Sequence, residues 1–181
     1  MQYIYRFIFI GILCFWVQAS QAQQISFTSN AYLGIANNLE AGYFYNGGGL
    51  DFTYTHEAGK GRILVGLNYR MIHWGNQVGL SAGYDFPFWQ KGAWRASVAS
   101  EMELAFALFF QKPLLGWTVN CVPMLEWKSK KAFFVNIGLG LQFNHNPAYA
   151  NYGRINSALD IPIKIGFGFT LGNRKRTLTA D

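Results

Sequence analysis

Charge, cysteine and long apolar runs are all scarce in this sequence. Charged residues make up 13% of the 181-residue chain, which has 2 cysteines and 5 prolines. So little charge excludes a coiled coil, and an aromatic content of 18% excludes a disordered chain. No apolar run reaches the roughly 20 residues that a membrane helix needs. The mean hydropathy of +0.08 is likewise low for a helical membrane protein. What is plentiful is a mixture of 51% hydrophobic residues with 20 glycines. That mixture suits β-strands whose two faces meet different solvents.

Residues 1–22 read as a cleaved secretory leader. Arg6 supplies its positive start, Phe7 to Val17 its apolar stretch, and Ser20 and Ala22 the small residues before cleavage. The apolar stretch is about half the length of a membrane-spanning helix, and bulky Leu13 before Cys14 argues against a lipoprotein signal. Removing the leader leaves Cys121 as the single cysteine, so no intramolecular disulfide can staple the fold. Basic residues cluster at Lys128, Lys130 and Lys131 and again at Arg174, Lys175 and Arg176. In a secreted protein these suit solvated turns or anionic lipid head groups, not nucleic acid.

Period two runs through the rest. Between Ala132 and Asn144, one parity holds Phe133, Val135, Ile137, Leu139, Leu141 and Phe143. The other holds Asn136, Gly138, Gly140, Gln142 and Asn144, with Phe134 the exception. The same alternation recurs in 93–110 and in 159–171, and a strand sends successive side chains to opposite faces. Read throughout, the pattern predicts eight strands at 24–36, 49–57, 62–73, 76–85, 93–110, 115–127, 132–144 and 159–171. Short breaks rich in Gly, Asn, Lys and Pro make neighbours antiparallel hairpins, with the longer connections after the first and seventh strands. The organisation expected is a leader (1–22), one barrel (23–171) and a basic tail (172–181).

The polar face decides which solvent lies outside. A soluble exterior would carry Lys and Glu at most alternate positions. Here those positions hold mainly small residues, such as Gly79, Ser81 and Gly83, or Gly166 and Gly168. Small side chains fit the narrow interior of an eight-stranded barrel. The fold class expected is therefore all-β, an eight-stranded antiparallel up-and-down transmembrane β-barrel. Glu101, Glu103 and Glu126 are candidates to pair inside it with Arg70, Arg95 and Lys164, because isolated buried charge is costly. Tyr69, Tyr84, Trp94, Phe110, Trp117, Trp127, Phe133 and Phe143 lie on the apolar parity near strand ends, where membrane barrels place aromatic girdles.

On this pattern the chain resembles the small outer-membrane β-barrel proteins of Gram-negative bacteria. Its final strand, Ile163 to Leu171, is similar to the C-terminal signal read by the outer-membrane assembly machinery, although ten further residues follow it here. The resemblance implies an outer-membrane location among lipid and lipopolysaccharide, with contact to the assembly machinery. A structural, adhesive or envelope-complex role follows, with partners met by outward loops at Asn37 to Gly48 and His145 to Ala158. No cofactor, metal-ligand spacing, phosphate loop or nucleophile elbow is present in the sequence. Two alternatives stay open. One is a lipid A deacylase-like enzyme centred on His145, with Ser157 and Asp160, although Pro147 stands where that family has its serine. The other is a secreted soluble barrel that holds an apolar ligand inside.

Overall fold

The computed structural model describes residues 23–36, 45–72, 75–109, 112–130, 132–145 and 157–171. The leader, the basic tail, Phe110 and most of the two longer connections lie outside them. The described residues form β1 (Gln23–Ala36), β2 (Tyr45–Ala58), β3 (Gly61–Ile72), β4 (Gly75–Lys91), β5 (Trp94–Phe109), β6 (Lys112–Lys128), β7 (Phe133–Leu139), β8 (Leu141–His145) and β9 (Ser157–Leu171). From β1 to β6 each strand pairs antiparallel with the next, β7 and β8 both lie between β6 and β9, and β9 returns to pair with β1 from Gln23↔Leu171 onwards. The sheet is closed and leaves no edge.

β7 and β8 are two halves of one wall strand, so the barrel has eight staves. Their register against β6 is unbroken, with Gly138 opposite Met124 and Leu141 opposite Cys121. The interruption has a chemical cause. Continuing the registers puts Leu139 opposite Pro123 on one side and Gly140 opposite Pro162 on the other. The Gly140 amide donates to the Pro162 carbonyl at 3.2 Å. Neither proline has an N–H to give back, so the ladder lapses for a residue on each side.

Two strands exceed their expected limits by four residues or more. β4 continues beyond residue 85 to Lys91 through a bulge between Pro87 and Trp89, which shifts the parity and hides the alternation. β2 starts at Tyr45 and takes in the glycines read as a turn. Gly49 lies so close to its neighbours that an added Cβ would sit 3.3 Å from the Tyr32 hydroxyl, so that buried ring fills the space a side chain would need. The hairpin turns are tight: Gly59 and Gly92 take φ of 62° and 58° as first residues of two-residue loops, the position that type II′ turns reserve for glycine.

Solvation is inverted relative to a soluble domain. Leu80 is 62% exposed and Leu139 59%, while Asp160 and Ser97 are fully buried. The outer wall is apolar along every strand, and Phe27 packs against Phe52 and Phe167 with ring centroids 5.1 and 5.8 Å apart. Phe134, which breaks the alternation, is turned inward at 2% exposure and lies against Gly168. A soluble barrel with an apolar ligand cavity is contradicted by this arrangement, because the interior is polar and the apolar face is outside.

Candidate functional site: the barrel lumen

Alternation aims one side chain in two at the barrel axis, and the interior collects the polar ones. Four buried cations (Arg62, Arg70, Arg95, Lys164) meet six buried carboxylates (Asp51, Asp85, Glu101, Glu103, Glu126, Asp160). They lie in three tiers. Nearest the chain termini, Arg62 donates through Nε to Asp85 at 2.7 Å and through an Nη to Glu126 at 2.9 Å and Gln24 at 2.6 Å. Arg95 joins Asp85 at 3.1 Å, and Lys128 closes this end over Glu126 at 3.3 Å.

At mid-height Lys164 lies 3.0 Å from Glu101 and 3.6 Å from Asp51. Asn68 donates to the second oxygen of Asp51 at 2.8 Å. Towards the opposite end Arg70 pairs with Glu103, donates to Thr118 and Asn144 at 3.2 Å each, and lies 5.1 Å from the centre of the Tyr32 ring. Asn144 in turn donates to Asp160. Between the first two tiers remains a cavity of about 60 Å³ bordered by Arg62, Asp85, Glu101, Glu126 and Lys164 on its charged side and by Met124 and Phe134 on its apolar side. That is room for a few waters.

The six candidates Arg70, Arg95, Glu101, Glu103, Glu126 and Lys164 are thus all inside and all in ion pairs, in the partnerships Arg70–Glu103, Lys164–Glu101 and Arg95–Asp85. Glu126 finds Arg62 instead of Arg95, although Arg95 is its register partner on the neighbouring strand. Arg62, Asp85 and Asp51 were missed. Parity carries the signal for Arg62 and Asp51, which share the inward set with Asn68 and Arg70 and with Thr53 and Thr55. Asp85 stood at what looked like a strand end.

Among the girdle candidates, Tyr84, Trp94, Trp127 and Phe133 lie at the end nearest the termini, and Tyr69, Trp117 and Phe143 towards the other. Trp94 and Trp127 are register partners on the outer wall. The Tyr84 hydroxyl donates to the Ala58 carbonyl at 2.9 Å, which ties the ring across the β2–β3 turn.

The alternative catalytic set divides. His145 and Ser157 are register partners on the outer wall, with Nδ1 and Oγ 3.0 Å apart, and Trp117 lies 5.5 Å from the imidazole. Asp160 is on the inward parity, held by Asn144, so the sheet separates it from that histidine. Among the described residues no group of His, Cys, Asp or Glu could hold a metal ion.

No protein-family model matches the chain. No curated protein matches its sequence. Solved structures do match the fold. Neisserial surface protein A is similar over 84% of this chain and 97% of its own, with a TM-score of 0.58 at 7% identity. The N-terminal β-barrel domain of Pseudomonas aeruginosa OprF is similar over 83% of this chain and 98% of its own, with a TM-score of 0.51 at 12% identity. The chain is an outer-membrane-type β-barrel. At such identities the likeness carries the fold, and the apolar wall independently requires a hydrocarbon solvent. Together they support an outer-membrane location. In this barrel the termini share one rim with three short turns, while both longer connections leave from the opposite rim; the rim with the termini is the periplasmic end in such folds.

Proposed function

We propose that this barrel is a non-enzymatic structural component of a Gram-negative outer membrane, with an adhesive role or a place in an envelope complex. Its contacts are made from the outward loops, Asn37 to Gly48 and His145 to Ala158, of which 37–44 and 146–156 lie outside the described residues. The observation that carries the reading is the filled lumen: three tiers of ion pairs stand across an eight-stranded bore that side chains alone can fill. Such a bore leaves the outer surfaces as the working parts. Assembly through the last strand fits its position as the stave that closes on β1.

The test is conductance and solute flux with the full chain refolded in phospholipid vesicles. The expected result is heat-modified gel mobility with no sugar-driven swelling and no stable conductance. Steady channels in a correctly folded sample would refute the plugged reading. Recovery from the soluble periplasm without detergent would refute the membrane reading.

One contact favours a second reading. The Ser157–His145 pair on the lipid-facing wall brings a hydroxyl to an imidazole nitrogen at 3.0 Å, the relation a nucleophile and its base require. The third member of a triad is not supplied by Asp160. Mass spectrometry of lipid A from cells with the chain, without it, and with Ser157→Ala decides this. Loss of an acyl chain that depends on Ser157 would establish a hydrolase, and unchanged acylation would remove it.

A further inference from the structure

Among the described residues the distribution of exposed charge is one-sided. Among the described side chains the exposed charged residues are Lys60, Lys91 and Lys130. Each stands in or beside a different one of the three turns at the rim that holds the chain ends, β2–β3, β4–β5 and β6–β7. Described carboxylates do not offset them outside: six are buried and paired or hydrogen-bonded within the barrel, and Glu57 is half-buried with interactions of its own. Lys128 is different, since Glu126 already engages it.

The three turns alternate around the rim with the paired chain ends in the fourth position, so the cations encircle most of it. On the apolar wall Trp94 and Trp127, 46% and 37% exposed, stand beside the β4–β5 and β6–β7 turns, and Tyr84 is tied across the β2–β3 turn. Indole rings of this kind settle at the level of lipid head groups and would hold the lysines at phosphate depth, where long stems can snorkel outward.

We propose that this rim binds anionic phospholipid head groups, so that the barrel gathers them in the periplasmic leaflet. The inference rests on the membrane reading above and adds to it a class of lipid, a leaflet and the residues that select. A lysine near an anionic membrane surface is worth up to about fivefold in partition, and sharing among many lipids lowers the net preference to about threefold.

The test uses the full chain refolded in phosphatidylcholine vesicles with a minor fraction of phosphatidylglycerol. Spin-labelled forms of each lipid report how strongly each is immobilised at the protein surface. The expected outcome is a preference of about threefold for phosphatidylglycerol at low salt, weakened in high salt by screening. In the triple variant Lys60→Gln, Lys91→Gln, Lys130→Gln the two lipids should become equivalent, with Lys→Arg replacements keeping the preference. Equal immobilisation by the native chain, or a preference that survives in the triple glutamine variant, overturns the proposal. Heat-modified mobility is read on every sample, so a barrel that fails to insert counts against the membrane reading and is distinguished from loss of lipid selection.

Discussion

Lys164→Met should be among the most damaging single changes in this barrel. The ammonium lies on β9, 3.0 Å from Glu101 and 3.6 Å from Asp51, and is nearly sealed from solvent. At an effective dielectric constant of about 20, a pair at 3.0 Å is worth about 5 to 6 kcal/mol before desolvation is subtracted. Methionine fills similar volume but leaves two carboxylates in the bore without their cation. Asp51 keeps its hydrogen bond from Asn68, whereas no other described cation lies within ion-pair reach of Glu101. Removing one partner of a buried pair costs about 3–5 kcal/mol, and that is the loss expected. Urea unfolding in phospholipid vesicles, followed by tryptophan fluorescence and gel mobility, measures it. In Lys164→Met/Glu101→Gln about half the loss should return, so the double-mutant cycle should give a coupling energy of at least about 2 kcal/mol. A loss below about 1 kcal/mol for Lys164→Met, or no coupling with Glu101, would refute a lumen held by paired charge.

Three further outcomes follow from the wall. Gly168→Val should destabilise the barrel by about 1–3 kcal/mol, since a Cβ there would lie 2.5 Å from the Phe134 ring and press on the Ile25 carbonyl. Adding Phe134→Ala should relieve only the ring part of that loss in the same urea assay, and full recovery would show the backbone contact to be unimportant. Ala132 has a φ of 68°, so Ala132→Gly should raise stability by up to about 1 kcal/mol, and a fall in urea midpoint would contradict the strain. Cys121 faces outward opposite Ser100. An apolar maleimide should label it in intact vesicles and a charged thiosulfonate should not, while rapid charged-reagent labelling would place it in water.

Much of the fold was legible because period two is written into individual segments. The stretch 132–144 marks its outward and inward sets without help from any other strand, and Phe134 is visible at once as the misfit. Where local chemistry disturbs the period, legibility fails. Pro87 and the bulge beside it shift parity in β4, so the alternation stops at residue 85 although the strand runs to Lys91. Gly49 resembles part of a turn until the Tyr69 carbonyl and the Tyr32 hydroxyl of the neighbouring strands are seen to occupy the space it leaves.

The sequence by itself determined which residues turn inward and which meet lipid, because a pleated strand leaves a side chain two directions and composition separates them. It also determined that inward charges of both signs must find one another. Who meets whom was decided only by the closed sheet. Arg62 reaches Glu126 and Lys164 reaches Glu101 across the bore, 64 and 63 positions apart in sequence, through the stagger between strands. That stagger also aligns Pro123 and Pro162 on either side of one residue pair, and sets His145 against Ser157 with Asp160 behind the sheet. Register is a property of paired strands, so no single strand could announce it.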